Sequence, residues 1–213
     1  MTSIPAIAVK RTIIFMVIAL ALYGWALDAS LAGLSGLPKL WRLMGIGAAN
    51  SAPPVGWIAA LVVAIAFIAM SMRSYPLIRE RVFSLSAIKL VAIVFAFMSG
   101  ILEELWFRRL PMDWAHAHGW GLVVQVLFSA LLFGAAHAIW GLFARNARVA
   151  IGSMIATGLL GAALGIVYLL SNRVLAPCIW AHTGINLVIE PWLLLAAMSR
   201  GVPVVAVQPA IAA

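Results

Sequence analysis

The sequence predicts an all-α fold, a polytopic membrane helical bundle of about six to seven transmembrane helices. The first observation is composition: 65% of the 213 residues are hydrophobic and 9% are charged, with a mean hydropathy of +1.12. Because a soluble domain carries about 25% charged residues, this chain has too few charges to cover a surface that faces water. The second observation is that the apolar residues form long runs separated by short polar breaks.

Six apolar runs come near the roughly 20 residues that a helix needs to cross the hydrocarbon core. A seventh run, Pro191–Met198, is too short to span the membrane by itself. It either extends the sixth helix beyond a kink at Pro191 or lies at the membrane interface. The six predicted spans are Thr12–Leu31, Val55–Met72, Ala87–Leu110, Trp120–Trp140, Val149–Leu170 and Val174–Ile189.

This pattern divides the chain into three parts. Residues 1–86 form an N-terminal transmembrane region of two helices plus loops, residues 87–190 form the core, and residues 191–213 form a short hydrophobic segment and tail. The length suits one compact bundle without a separate soluble domain. Within the core, residues 158–165 contain a GxxxG pattern, which favours close packing of helices inside the bundle.

The net charge of +8 would suit a nucleic-acid partner, but the distribution of the basic residues argues against one. They lie in short clusters between apolar runs, which is typical of loops beside anionic lipid headgroups. We therefore predict the lipid bilayer as a partner and no nucleic acid. The predicted topology places more lysines and arginines on the side of the membrane that carries the N-terminus than on the opposite side. This favours a cytoplasmic N-terminus. The single cysteine, Cys178, is interpreted as a small buried apolar residue.

Four ionisable side chains lie well inside the apolar runs: Glu103, Glu104, His137 and His182. A charged group at the centre of the bilayer costs about 2.5–3.5 kcal/mol on insertion scales, so a functional role is the default interpretation. The alternative is an interhelical hydrogen bond or ion pair that only holds the bundle together. Both interpretations require the four side chains to have partners, and their spacing along the helices indicates which.

Glu104 has a partner four residues along the helix, Arg108, with the acid N-terminal to the base as helix pairs prefer. This spacing predicts a structural ion pair. Glu103 points about 100° away around the helix and has no local partner, which makes it the candidate carboxylate for chemistry. If Gly119 is the turn of a helical hairpin, Glu103 and His137 lie at nearly equal depth on its two helices.

His182 reaches the same depth if residues 111–118 project beyond the bilayer edge. Asn186 follows His182 by four residues, so the two polar groups share a helix face. A glutamate beside a histidine can deprotonate a water, while a histidine and an asparagine donate hydrogen bonds to a developing oxyanion. This is the outline of a hydrolase site. The same glutamate and two histidines could instead bind Zn²⁺.

Three short motifs occur in order, each on its own predicted helix. They are Glu103-Glu104-Leu-Trp-Phe-Arg108, Phe133-Gly-Ala-Ala-His137 and His182-Thr-Gly-Ile-Asn186. Together they resemble the EExxxR, FxxxH and HxxxN motifs of the type II CAAX prenyl protease family, also called the CPBP or Abi family. Each motif alone is unspecific, but three in order are a strong signal. The resemblance covers roughly Ala87–Ile189, so residues 87–190 are the CAAX-protease-like core.

The resemblance implies an intramembrane protease, an endopeptidase that hydrolyses a peptide bond of a membrane-associated protein or peptide. It implies that Glu103 and His137 activate the water, and that His182 and Asn186 form the oxyanion site. The supporting residues that it implies are Glu104, Arg108 and Phe133.

Several alternatives stay open at this point. The family has been described both as glutamate proteases and as metalloendopeptidases, and the chain lacks the HExxH zinc signature. We therefore favour a mechanism without a metal cofactor. The alternative is a zinc ion held by Glu103, His137 and His182. A non-catalytic scaffold or immunity-type protein of the same fold is a further possibility. A transporter is disfavoured because no repeat halves or paired interrupted helices occur.

Two smaller expectations complete the sequence-based description. His116 and His118 lie in a turn flanked by tryptophans, and we interpret this turn as an interfacial loop outside the site. We expect the protein in the plasma membrane of a bacterium.

Overall fold

The computed structural model describes residues 6–31, 37–45 and 51–199. Within these ranges the chain forms helices joined by turns and contains no strand, which confirms the predicted all-α fold class. Part of the predicted C-terminal tail, residues 200–213, lies outside the described residues. The helices are α1 Ala6–Leu31, α2 Leu37–Leu43, α3 Pro54–Ser74, α4 Pro76–Arg81, α5 Ala87–Glu104, α6 Leu110–Ala117, α7 Leu122–His137, α8 Ile139–Ala144, α9 Ala147–Leu170 and α10 Ala176–Met198, with a π-helical turn at Leu105–Arg109 between α5 and α6.

Among the described residues, six helical segments are long and apolar enough to cross a membrane. This makes the chain an integral multi-pass membrane protein and agrees with the six runs predicted from the sequence. The six segments are Ala6–Leu31, Pro54–Ser74, Ala87–Ala117, Leu122–Ala144, Ala147–Leu170 and Ala176–Met198.

The helix ends follow local chemistry. Ser86 begins α5 because its hydroxyl accepts a hydrogen bond from the backbone N–H of Lys89, and the Asn146 side chain caps α9 in the same way. The predicted turn at Gly119 is present, with a φ of +75° that an L side chain rarely adopts. It reverses the chain between α6 and α7, so these helices form the predicted hairpin.

The seventh predicted run does not form a separate interfacial helix. Residues 191–198 continue α10 through Pro191. Because proline has no backbone N–H, the carbonyl of Leu187 loses its partner one turn back. The Lys89 side chain of α5 replaces it, with Nζ donating to the Leu187 oxygen at 2.6 Å. This contact joins α5 to α10 at the end opposite to the motifs.

Small residues let the core helices approach closely. A Cβ at Gly134 of α7 would lie 2.7 Å from the backbone oxygen of Met154 in α9, and Gly161 lies against Ala130 in the same way. The glycine-rich segment of α9 therefore packs inside the bundle, as its pattern predicts. Cys178 is fully buried, also as predicted.

A second close approach joins α5 to α10. A Cβ at Gly100 would lie 2.5 Å from the Thr183 hydroxyl oxygen and 3.2 Å from the Thr183 backbone nitrogen. Because only a hydrogen fits at Gly100, the two helices touch at this level. Glu103 and Glu104 lie on the next turn of α5, directly opposite His182. The close approach thus positions the ionisable residues that the sequence singles out.

Candidate active site

Glu103, His137 and His182 come from three different helices and meet in one place. The Oε2 atom of Glu103 lies 3.8 Å from Nε2 of His137 and 3.6 Å from Nε2 of His182. The Glu103 side chain is only 13% exposed. The structure therefore brings together the carboxylate and the two imidazoles that the sequence predicts at one depth.

Glu104 is fully buried and held from two sides. Its Oε1 atom is 2.7 Å from Nδ1 of His182. Its Oε2 atom is 3.2 Å from Nε of Arg108, whose side chain is also completely buried. This contact is an ion pair that is not aligned as a hydrogen bond, because Arg108 Nε has no hydrogen-bond partner among the described residues. The predicted ion pair within the helix is present, and its carboxylate also holds the imidazole of α10.

The π-helical turn that follows Glu104 is held by a serine of the neighbouring helix. Ser129 of α7 donates to the backbone oxygen of Phe107 and accepts from Nη1 of Arg108 at 3.1 Å. A π-turn leaves backbone groups out of their α-helical pattern and often occurs at functional sites. Sequence reasoning missed Ser129, although it lies one turn before Phe133 on the same face of α7.

Phe133 is completely buried and contacts three charged or titratable side chains of the site. The guanidinium of Arg108 lies 4.6 Å from its ring centroid. The imidazoles of His137 and His182 pack edge-on against the ring, with centroids 4.4 and 5.5 Å away. Phe133 is thus an apolar platform that fixes the orientation of both imidazoles.

The hydrogen bonds of the two histidines determine which nitrogen faces Glu103. Nδ1 of His137 is 2.9 Å from the backbone oxygen of Phe133. A carbonyl oxygen only accepts, so Nδ1 carries the hydrogen and Nε2 faces Glu103. His182 uses Nδ1 for the Glu104 carboxylate, and its Nε2 also faces Glu103. Both ring nitrogens that face Glu103 are therefore available for a ligand or water.

Asn186 lies one turn beyond His182 on α10. Its Nδ2 atom donates to the Ser99 hydroxyl of α5 at 3.1 Å, which fixes the amide and leaves its second N–H. Ser99 precedes Glu103 by one turn on the same face of α5. The i, i+4 spacing could have identified Ser99 from the sequence, but a serine inside an apolar helix is usually satisfied by its own backbone.

Two further side chains reach this region and were missed from the sequence. Tyr23 of α1 stacks on Phe95 with centroids 5.5 Å apart and an interplanar angle of 18°, and its hydroxyl lies close to the Glu103 carboxylate. Glu190 of α10 is a third carboxylate, two turns beyond His182. Tyr23 lies outside the three motifs, and Glu190 lies at the very end of its predicted apolar run.

A zinc ion bound tetrahedrally at about 2.0–2.1 Å would hold its ligand atoms about 3.3 Å apart. The distances from Glu103 Oε2 to the two Nε2 atoms, 3.6 and 3.8 Å, are wider. Within the described ranges, no group of three His, Cys, Asp or Glu side chains is arranged to hold a metal ion. The donor types suit zinc but their spacing does not fit it, so we assign no step to a metal.

His116 and His118 lie at the tip of the α6–α7 hairpin, away from Glu103. The His118 ring stacks on Trp114, with centroids 4.3 Å apart, and Trp114 packs edge-on against Trp120. Both histidines are exposed. They form an exposed aromatic loop between α6 and α7.

One family model matches the part of the chain that carries the three motifs. Residues 85–188 match the family model described as Type II CAAX prenyl endopeptidase Rce1-like. No curated protein and no solved structure matches the chain. The matched range contains all three motifs, including Glu103 and the two histidines that face it, whereas Tyr23 lies outside it. Over residues 85–188 the chain therefore belongs to the Rce1-like type II CAAX prenyl endopeptidase family, a membership that implies an intramembrane protease.

Proposed function

We propose that this chain is an intramembrane endopeptidase that hydrolyses a peptide bond of a membrane-associated protein. One observation carries the proposal. The Oε2 atom of Glu103 is buried, has no hydrogen-bond partner among the described residues, and faces the Nε2 atoms of His137 and His182. An unsatisfied buried acceptor costs about 1–3 kcal/mol, so a ligand that supplies the missing hydrogen bond is expected there.

A water molecule supplies that hydrogen bond. The gap of 3.8 Å between Glu103 Oε2 and His137 Nε2 is too long for a direct hydrogen bond but can be bridged by water. Glu103 removes a proton from this water as its oxygen attacks the carbonyl carbon of the scissile bond. His137 accepts the second hydrogen bond of the water and orients it, because its Nδ1 is already fixed by Phe133.

The attack makes the carbonyl oxygen of the substrate an oxyanion. His182 Nε2 and the second N–H of Asn186 stabilise it by hydrogen bonds. For Nε2 to donate, His182 must be doubly protonated, since its Nδ1 hydrogen is already donated to Glu104. When the tetrahedral intermediate collapses, the C–N bond breaks, and the proton held by Glu103 passes to the leaving amine.

Glu104, Arg108 and Phe133 support this chemistry without touching the reacting atoms. Glu104 holds His182, Arg108 neutralises Glu104, and Phe133 packs against both imidazoles. The substrate is a membrane-associated protein or peptide, and the membrane that we propose is the plasma membrane of a bacterium. No prenyl group on the substrate is part of the proposal.

The test is cleavage of a library of membrane-anchored peptides by purified protein in liposomes. Glu103→Gln removes the proton acceptor but keeps the shape, so we expect a fall in kcat/KM of about 10²–10⁴-fold. His137→Ala should also abolish most of the cleavage. Glu80→Gln is the matched control, because it makes the same change at an exposed position of α4 and should retain cleavage.

The same assay separates the alternatives. Cleavage that is unaffected by a chelator supports the metal-free mechanism. Cleavage lost with a chelator and restored by Zn²⁺ would favour the metalloendopeptidase alternative. If folded Glu103→Gln protein cleaves like the wild type, Glu103 is not the proton acceptor and the proposed mechanism is wrong. If no folded protein cleaves any peptide, the non-catalytic scaffold of the same fold becomes the better interpretation.

A further inference from the structure

The polar side chains on the face of α10 that packs on α5 continue past the reacting groups. Contacts between the two antiparallel helices pair Glu104 with His182, Ser99 with Asn186 and Lys89 with Leu187. His182 and Asn186 are spaced by four residues, and one more turn of four leads to Glu190. These three polar side chains therefore form one stripe along the face of α10 that packs on α5.

Glu190 is the member of this stripe that the proposed chemistry does not use. Its Oε2 atom is buried and has no hydrogen-bond partner among the described residues. The Tyr23 side chain, stacked on Phe95 of α5, lies close enough to interact with the charges of both Glu103 and Glu190. Glu190 thus lies on the same face of α10 as His182 and Asn186, two turns beyond the imidazole of the site.

The carboxyl group of Glu190 has no cationic partner in the described part of the chain. None lies within 4 Å of it as an ion pair, whereas Glu104 and Asp113 each pair with an arginine and Glu103 faces two imidazoles. Lys89 is directed elsewhere, since its Nζ donates to the Leu187 carbonyl and lies over the Trp192 ring. A carboxylate in an apolar helix that lacks a cation is costly to retain, and a cationic ligand would offset that cost.

We propose that Glu190 determines specificity by binding a lysine or arginine side chain of the substrate. This inference rests on the proposed endopeptidase function. Eight residues of α10 separate Glu190 from His182, which corresponds to about 12 Å along the helix. An extended peptide covers that distance with roughly three to four residues. The basic residue therefore lies roughly three to four positions from the bond that is cut.

The test uses pairs of membrane-anchored peptides that differ only by lysine or glutamine. The substitution is moved one position at a time along both sides of the cleaved bond. We expect the wild type to prefer lysine in one register by on the order of 30-fold in kcat/KM, the effect of one buried charge pair. In Glu190→Gln this ratio should fall to near one. Asp28→Asn, which removes an exposed carboxylate of α1, should retain the preference.

A binding measurement makes the outcome independent of turnover. Fluorescent versions of every matched pair of lysine and glutamine peptides are titrated against Glu103→Gln protein, with and without Glu190→Gln. Tighter binding of the lysine peptide that is lost with Glu190→Gln supports the inference. Equal binding of both peptides to the protein with an intact Glu190 overturns it.

The two proposals fail in different ways. If the wild type cleaves by a Glu103-dependent reaction but never prefers lysine, the endopeptidase function stands and the role of Glu190 is wrong. If Glu190→Gln slows lysine and glutamine peptides equally, Glu190 contacts the peptide backbone or supports the fold, which also overturns the inference. If no peptide is cleaved, the endopeptidase proposal fails, while the binding pair still decides whether Glu190 recognises a cation.

Discussion

Two polar clusters among the described residues differ in the partners of their carboxylates. The Asp113 cluster joins α6, α7 and the end of α9. Asp113 accepts from the Tyr168 hydroxyl at 3.1 Å and from Nη1 of Arg173 at 2.8 Å, and Arg173 also donates to Gln125. In the Glu103 cluster, Glu104 is hydrogen-bonded to His182 and ion-paired with Arg108. The buried Oε2 of Glu103 has neither a hydrogen bond nor an arginine among the described residues. The members of the Glu103 cluster are Glu103, Glu104, Arg108, His137 and His182.

Exposure separates the two clusters as clearly as hydrogen bonding does. The Asp113 side chain is 42% exposed and that of Arg173 is 24% exposed, so water shares the solvation of their charges. In the Glu103 cluster the side chains of Glu104 and Arg108 are completely buried. A partly exposed cluster whose charges are all paired needs no role beyond stabilising the fold. A buried cluster in which one carboxylate oxygen has neither a hydrogen bond nor an arginine partner is better explained by a ligand or a reaction.

The largest expected effect on stability is that of Glu104→Gln. This change leaves the Arg108 guanidinium buried without an opposite charge, which costs about 3–5 kcal/mol. We expect the free energy of unfolding in detergent to fall by that amount and cleavage to be lost with it. Glu103→Gln, one residue away, should change the free energy of unfolding far less, because Glu103 Oε2 has no hydrogen bond to lose.

Matched measurements decide whether the two adjacent glutamates really differ. Unfolding is followed by far-UV circular dichroism in a denaturant series for both variants, beside the exposed Glu80→Gln. A greater loss of stability in Glu103→Gln than in Glu104→Gln would contradict the comparison. It would make Glu103 the structural carboxylate.

A smaller effect is expected from Gly100→Ala, which tests how the Glu103 cluster is positioned. The added Cβ would lie 2.5 Å from the Thr183 hydroxyl and 3.2 Å from its backbone nitrogen, so α5 and α10 must separate. Overpacking of this kind costs about 1–3 kcal/mol, and a displacement of about 1 Å can lower the rate about 10²-fold. Thermal unfolding and cleavage of the same preparation measure both effects.

Gly152→Ala is the control for this change. Gly152 lies on α9 with open space where a Cβ would be, and alanine favours the helix. We expect unchanged or slightly raised stability and unchanged cleavage. If Gly100→Ala behaves like Gly152→Ala, the close approach to Thr183 does not position the site.

Much of this organisation could be predicted from the sequence. Hydropathy alone predicts the spans, because lipid imposes a length on them. The i, i+4 rule correctly predicts the contact between Glu104 and Arg108. The depth argument correctly predicts that Glu103, His137 and His182 meet. These inferences succeed because each depends on distance along one helix or on depth.

Contacts between helices could not be predicted in the same way. Nothing in the spacing indicates that Phe133 lies between two imidazoles of different helices, or that Tyr23 of α1 reaches Glu103. Such contacts depend on which helices touch and how closely, and that is determined by packing at positions such as Gly100. Glu190 was missed for a different reason, because it lies beside Pro191 where the apolar run was taken to end.

The smallest expected effect is that of Asp113→Asn, which makes the same acid-to-amide change as Glu104→Gln in the exposed cluster. Asparagine keeps an acceptor for Tyr168 and Arg173 but loses the charge. Because these side chains are partly exposed, we expect a loss of about 0.5–1 kcal/mol in the free energy of unfolding and no loss of cleavage. Added salt should narrow the difference from the wild type, since it screens exposed pairs but hardly affects buried ones. The difference in the free energy of unfolding between Glu104→Gln and the wild type should therefore persist in high salt. An Asp113→Asn variant that folds normally but no longer cleaves would show that the two clusters act together.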